Sequence, residues 1–206
     1  VKGVFVEEPT GGPPNGDALI APPWPFGSVG AEETDIDRLL TEPPKPIEWA
    51  VDRLIPENSL TSINGFGATG KSYLLMQTAV QLAAGQPLFG RFHVRRPYNV
   101  LYLDLEMAEH ATNARFYRFL NGAGVRRWAD LPGLHVVPGG LFSFDNPIAV
   151  NQLGAMCAAM HLDFIMIDSF RRSYSGDGNN TQTINAVFGH MKTIRNKYKT
   201  SFITLD

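Results

Sequence analysis

The chain has 206 residues, 44% of them hydrophobic and 18% charged, with a formal net charge of -2 at pH 7. That balance excludes a uniformly basic nucleic-acid coat, so any basic surface has to be local. A single cysteine, Cys157, excludes an intrachain disulfide and a multi-cysteine zinc site, and no apolar run approaches a membrane span.

The first 46 residues hold nine of the 15 prolines. Pro13-Pro14, Pro22-Pro23, Pro43-Pro44 and the glycine turns among them interrupt every helix or strand, so residues 1–46 are expected to form an extended arm. A short helix over Thr34 to Leu40 is the exception, with Asp35 and Asp37 suited to its first turn. Trp24 and Phe26 are large apolar groups in polar surroundings, free to dock on a neighbouring subunit or on this one. The amino-terminal residues lack a signal peptide's basic and hydrophobic regions, which makes the cytoplasm the expected compartment.

From Ile47 the pattern changes. Leu60 to Asn64 reads as a short strand, followed by Gly65, Phe66, Gly67, Ala68, Thr69, Gly70, Lys71 and Ser72. These eight fit G-x-x-x-x-G-K-[ST], the phosphate-binding P-loop. Glycines let backbone N–H groups approach an anion, and the positive end of the next helix adds to the cradle. Lys71 would reach the β- and γ-phosphates of ATP, and the Ser72 hydroxyl would hold Mg²⁺. Leu74, Leu75, Thr78, Ala79, Leu82 and Ala83 recur at helical spacing over Lys71 to Ala84, and Gly85 stands where a C-cap belongs.

Strands and helices then alternate. Asn99 to Leu105, Leu134 to Val137, Asp163 to Asp168 and Ser201 to Leu205 read as strands, mostly apolar as burial on both faces requires. Glu109 to Asn121, Val150 to Met160 and Ile184 to Tyr198 read as helices. This order predicts an α/β fold, a mostly parallel sheet with helices packed on it. Ligands in such sheets bind beyond the carboxyl ends of the strands.

Two acids fall at that edge. Asp168 ends an apolar strand in the manner of a Walker B carboxylate beside Mg²⁺. Ser169 follows it where many P-loop ATPases carry glutamate, so the base has to come from elsewhere. Glu106, one residue past the second strand, is the candidate base for the attacking water. The plainer alternative is that Glu106 and Glu109 only complement the next helix's N-terminus. Asp104 is less suited to be the base, because it points to the opposite face from its strand neighbours. Arg171, Arg172 and Tyr174, ahead of a glycine-asparagine segment, could hold single-stranded nucleic acid by phosphate contact and base stacking; a solvated loop is the alternative. Arg115, Arg118, Arg126 and Arg127 read most simply as a solvated helix face and turn.

Taken together, I-E-W-A-V-D-R-L-I-P, G-F-G-A-T-G-K-S, V-L-Y-L-D-L-E and F-I-M-I-D-S-F-R-R resemble the RecA-like P-loop ATPases. Within them, they resemble the RepA-type hexameric replicative helicases of plasmids and phages. The resemblance covers about residues 47–206 and implies a three-layer RecA-like ATPase core. It implies Glu106 as catalytic base, a loop after Asp168 that faces a central channel, and single-stranded DNA as partner. It also implies self-association as a ring, a hexamer, with ATP between subunits. The family continues with a polar sensor and an arginine that reaches the neighbour's ATP, so the chain is expected to be truncated at its C-terminal end. Two other readings stay open: a recombination or regulatory module that uses ATP as an assembly switch, and a small-molecule kinase. The kinase is disfavoured because no arginine-bearing lid is evident.

Overall fold

The computed structural model describes residues 36–175 and 180–206. Trp24, Phe26, the start of the expected first helix and residues 176–179 of the glycine-asparagine segment lie outside them. The chain divides into two units, Val1–Pro46 and Ile47–Asp206. In the first, helix α1 (Ile36–Thr41) buries none of its side chains and carries an exposed ion pair, Arg38 Nε to Glu42 Oε2 at 2.7 Å.

The second unit opens with two short strands, β1 (Trp49–Val51) and β2 (Ile55–Pro56), paired antiparallel. The tight turn between them uses Arg53 at φ 54, a hairpin that apolar patterning alone did not disclose. Then follow β3 (Leu60–Ile63), α2 (Lys71–Ala84), β4 (Val100–Asp104), α3 (Glu109–Gly122), β5 (Leu134–Val137), α4 (Pro147–Met160), β6 (Phe164–Asp168), α5 (Thr181–Tyr198) and β7 (Ser201–Leu205). Two helices start earlier than their apolar residues indicate, because asparagine side chains cap them. Asn146 accepts from the backbone N–H groups of Ile148 and Ala149, and Asn180 from that of Gln182.

The main sheet has the order β3-β7-β6-β4-β5, and every adjacent pair is parallel. Alternate residues of each strand feed two separate cores. Val100, Tyr102, Phe164 and Met166 pack with α2 and α3, while Leu101, Leu103, Ile165 and Ile167 pack with α4 and α5. The result is three layers, helices on both faces of one sheet. Every residue of β4, β6 and β7 is buried, which is why these strands read as mostly apolar runs. Each large side chain so enclosed contributes roughly 1.5–3 kcal/mol relative to exposure.

Register decides where the acids meet. β4 and β6 pair with Asp104 opposite Asp168, and the Leu105 N–H donates to the Asp168 carbonyl at 2.6 Å. On the other flank, the Asp206 N–H donates to the Ile63 carbonyl at 3.0 Å. The carboxyl ends of β3, β7, β6 and β4 therefore form one rim, with the P-loop leaving β3 at its edge.

Candidate active site

The P-loop joins β3 to α2. Gly70 is the N-cap of α2 at φ 88, a left-handed conformation in which a Cβ is strained. No side chain caps this helix end, so its first N–H groups are left for an anion. The other left-handed residue is Ala68 at φ 62; Gly65 and Gly67 turn without positive φ. Lys71 Nζ folds back to donate to the carbonyls of Gly65 and, at 3.1 Å, Phe66. The Thr69 hydroxyl also donates to the Phe66 carbonyl, at 2.8 Å. A phosphate group would take over the lysine from these carbonyls.

A cavity of about 370 Å³ lies over this loop, lined by Gly67 to Ser72 together with Glu106, Asp168, Arg115 and Arg171. Residues widely separated in the chain thus converge on one space. Gly65 and Phe66 do not line it, and the Phe66 ring is exposed.

Asp168 is 2% exposed. The Tyr102 hydroxyl donates to its Oδ2 at 2.9 Å, and the Ser72 hydroxyl lies beside the same carboxylate. Burial pushes this carboxyl above the usual aspartate range; the Ser72 and Tyr102 hydroxyls oppose that rise, while Asp104 and Glu106 add to it by repulsion. Burial likewise raises the Tyr102 phenol, whose ring stands edge-on to Phe116 at 5.0 Å. A cis peptide joins Asp168 to Ser169.

Ser72 and Asp168 present hard oxygen donors side by side. No group of three or more His, Cys, Asp or Glu side chains that could by itself hold a metal ion occurs among the described residues. A metal here would draw its remaining ligands from phosphate and water. That is the habit of Mg²⁺, so the donor set fits it.

Asp104 is completely buried, and its acceptor positions are committed. Oδ1 accepts the backbone N–H groups of Glu106 at 3.1 Å and Met107 at 2.9 Å, and Oδ2 accepts the Thr112 hydroxyl at 2.6 Å. It therefore ties the end of β4 to the first turns of α3, whose own N-cap, Ala108, offers no side-chain acceptor. Asp104 does lie on the opposite face from Leu103 and Leu105, but that is the face of Tyr102, and it sits at the register position of Asp168; hydrogen bonding rather than direction occupies it. Glu106, carried on the turn that Asp104 braces, is exposed and lines the cavity.

The loop after β6 differs from expectation. Tyr174 is 6% exposed and packs against Phe170 at 5.4 Å between ring centroids. Its ring has no free face for a base, so the stacking role expected of it is withdrawn. Arg171 donates from Nη1 to the Tyr174 carbonyl at 3.2 Å and lines the phosphate cavity; Arg172 is exposed. Arg115, expected on a solvated face, is half-buried, with its guanidinium 4.8 Å above the Tyr73 ring. A signal existed: Arg115 follows buried Thr112 by three and adjoins buried Phe116, the inner flank of α3. Tyr102 had no such signal, since only strand order places its hydroxyl beside Asp168.

A phosphate loop and acidic residues on one rim of a three-layer parallel sheet define a P-loop nucleoside triphosphatase fold. The sequence model of a family described as an AAA domain matches residues 28–206. The chain belongs to that family and is a nucleotide-binding ATPase module. No curated protein matches it. Among the described residues no helix is long and apolar enough to cross a membrane.

Proposed function

We propose that the chain is the ATP-binding and ATP-hydrolysing core of a RepA-type replicative DNA helicase. In this reading subunits assemble as a ring, a hexamer, and hydrolysis between them drives movement on single-stranded DNA. Residues 47–206 act as the RecA-like core and residues 1–46 as an arm. One observation supports the ATPase part of this reading: a single cavity gathers the P-loop, Asp168 and Glu106. The P-loop N–H groups and Lys71 bind the β- and γ-phosphates. Ser72 and Asp168 hold Mg²⁺, which when bound neutralises phosphate charge. Glu106 takes the proton of a water whose oxygen bonds to the γ-phosphorus, as the bond from that phosphorus to the oxygen of ADP breaks. Exposed Arg172 remains available to a DNA phosphate.

The buried ring of Tyr174 favours a second reading, an assembly switch that binds ATP without moving on DNA. Steady-state phosphate release from the complete protein separates them. A helicase core gives turnover that rises with protein concentration and is stimulated by single-stranded DNA. Tight ATP binding with negligible turnover would return the protein to the switch.

A further inference from the structure

We propose that Arg115 is a phosphate-binding residue acting in cis, which recognises the outermost phosphate of a nucleoside triphosphate. This rests on the ATPase reading above. Three cations of this one chain line the phosphate cavity: Lys71, Arg171 and Arg115. Two have partners. Lys71 is held by the carbonyls of Gly65 and Phe66, and Arg171 by that of Tyr174. Arg115 makes no hydrogen bond and no ion pair among the described residues.

What it has is an aromatic support. Its guanidinium lies 4.8 Å above the ring of Tyr73, which is itself braced by Phe119 at 6.0 Å. Stacking restrains the fork while leaving its N–H donors unused, an arrangement suited to a planar, bidentate grip on phosphate oxygens. A half-buried guanidinium whose five donors have no protein partner among the described residues is open to an acceptor that enters the cavity.

Position indicates which phosphate. Arg115 projects from α3, the helix that follows Glu106, and lines the same cavity as Glu106 and Asp168. It therefore stands on the side of the cavity that carries the metal acid and the candidate base. Mg²⁺-ATP differs from Mg²⁺-ADP by one charged group on that side, and Arg115 is the uncommitted cation there.

The test is calorimetric titration of Mg²⁺-ADP and of the slowly hydrolysed analogue ATPγS into the full chain, Arg115→Ala and Arg115→Lys. Unchanged circular dichroism serves as the folding control. We expect Arg115→Ala to lose roughly 10- to 100-fold in ATPγS affinity and less than about threefold in ADP affinity. Arg115→Lys, which keeps the charge without the planar fork, should fall between. Equal losses for both nucleotides, or no loss in either variant, would overturn the role of Arg115 while leaving the ATPase reading intact. A wild-type chain that binds neither nucleotide would remove both.

Discussion

Asp104 offers a test of how the candidate base is held. Replacing it with alanine strands the Thr112 hydroxyl, which is completely buried and whose next acceptor, the Ala108 carbonyl, is 3.5 Å away. An unsatisfied buried hydroxyl costs about 1–3 kcal/mol. The Met107 and Glu106 N–H groups also lose a charged acceptor at 2.9 and 3.1 Å, although both lie near enough to water for partial replacement. The sum is roughly 2–4 kcal/mol, a fall in Tm of roughly 4–16 °C for a chain of this size. Asparagine keeps the shape: its oxygen accepts both backbone N–H groups, and its amide turns to the Thr112 oxygen. Asp104→Asn should cost about 1 kcal/mol or less. Kinetics then separates support from chemistry. Asp104→Ala loosens the turn beneath Glu106 and should reduce turnover roughly 10- to 100-fold, whereas Asp104→Asn should stay near wild type. Glu106→Gln should retain Mg²⁺-ATP but lose roughly 10²- to 10⁴-fold in hydrolysis. Phosphate release and thermal melts on the three variants decide it. Hydrolysis lost in Asp104→Asn and kept in Glu106→Gln would make Asp104 the base and refute the bracing argument.

Two further outcomes follow from the buried pair beneath the cavity. Tyr102→Phe removes the hydroxyl that donates to Asp168 and leaves the ring on Phe116 in place, so metal-free stability in urea at neutral pH should fall by about 1.5–3 kcal/mol; an unchanged midpoint would mean that the hydrogen bond is not made. Asp168 itself has its carboxyl raised by burial, so the folded chain holds this proton more tightly than the unfolded chain does. Its contribution to stability is fully present below the ordinary aspartate pKa and is lost as pH rises through the higher folded value. In EDTA, Asp168→Asn should remove that downward slope and exceed wild type in stability at neutral pH, measured by denaturation across pH; a less stable variant at neutral pH would refute this.

Much of the architecture is visible in the linear chain because its signals are local. A strand buried on both faces is mostly apolar, and a helix on a sheet repeats its apolar residues every three or four, so the main-sheet strands and α2 to α5 follow from patterning. The P-loop is equally local: eight consecutive residues carry the turn, the helix start and the lysine. Glu106 and Asp168 are readable as residues just past or at the end of apolar strands. The sequence does not contain which strands are neighbours. Only the order β3-β7-β6-β4-β5 puts Tyr102 beside Asp168, Asp104 at its register position, and Glu106 with Asp168 on the cavity over the P-loop. Arg115 and Tyr174 exchange their expected environments for the same reason. A charged residue on an amphipathic helix and a tyrosine in a polar loop acquire burial from what packs over them, and those partners lie on other elements. Tertiary packing turned Arg115 towards the phosphate cavity and closed Tyr174 into the core, because burial depends on neighbours distant in the chain.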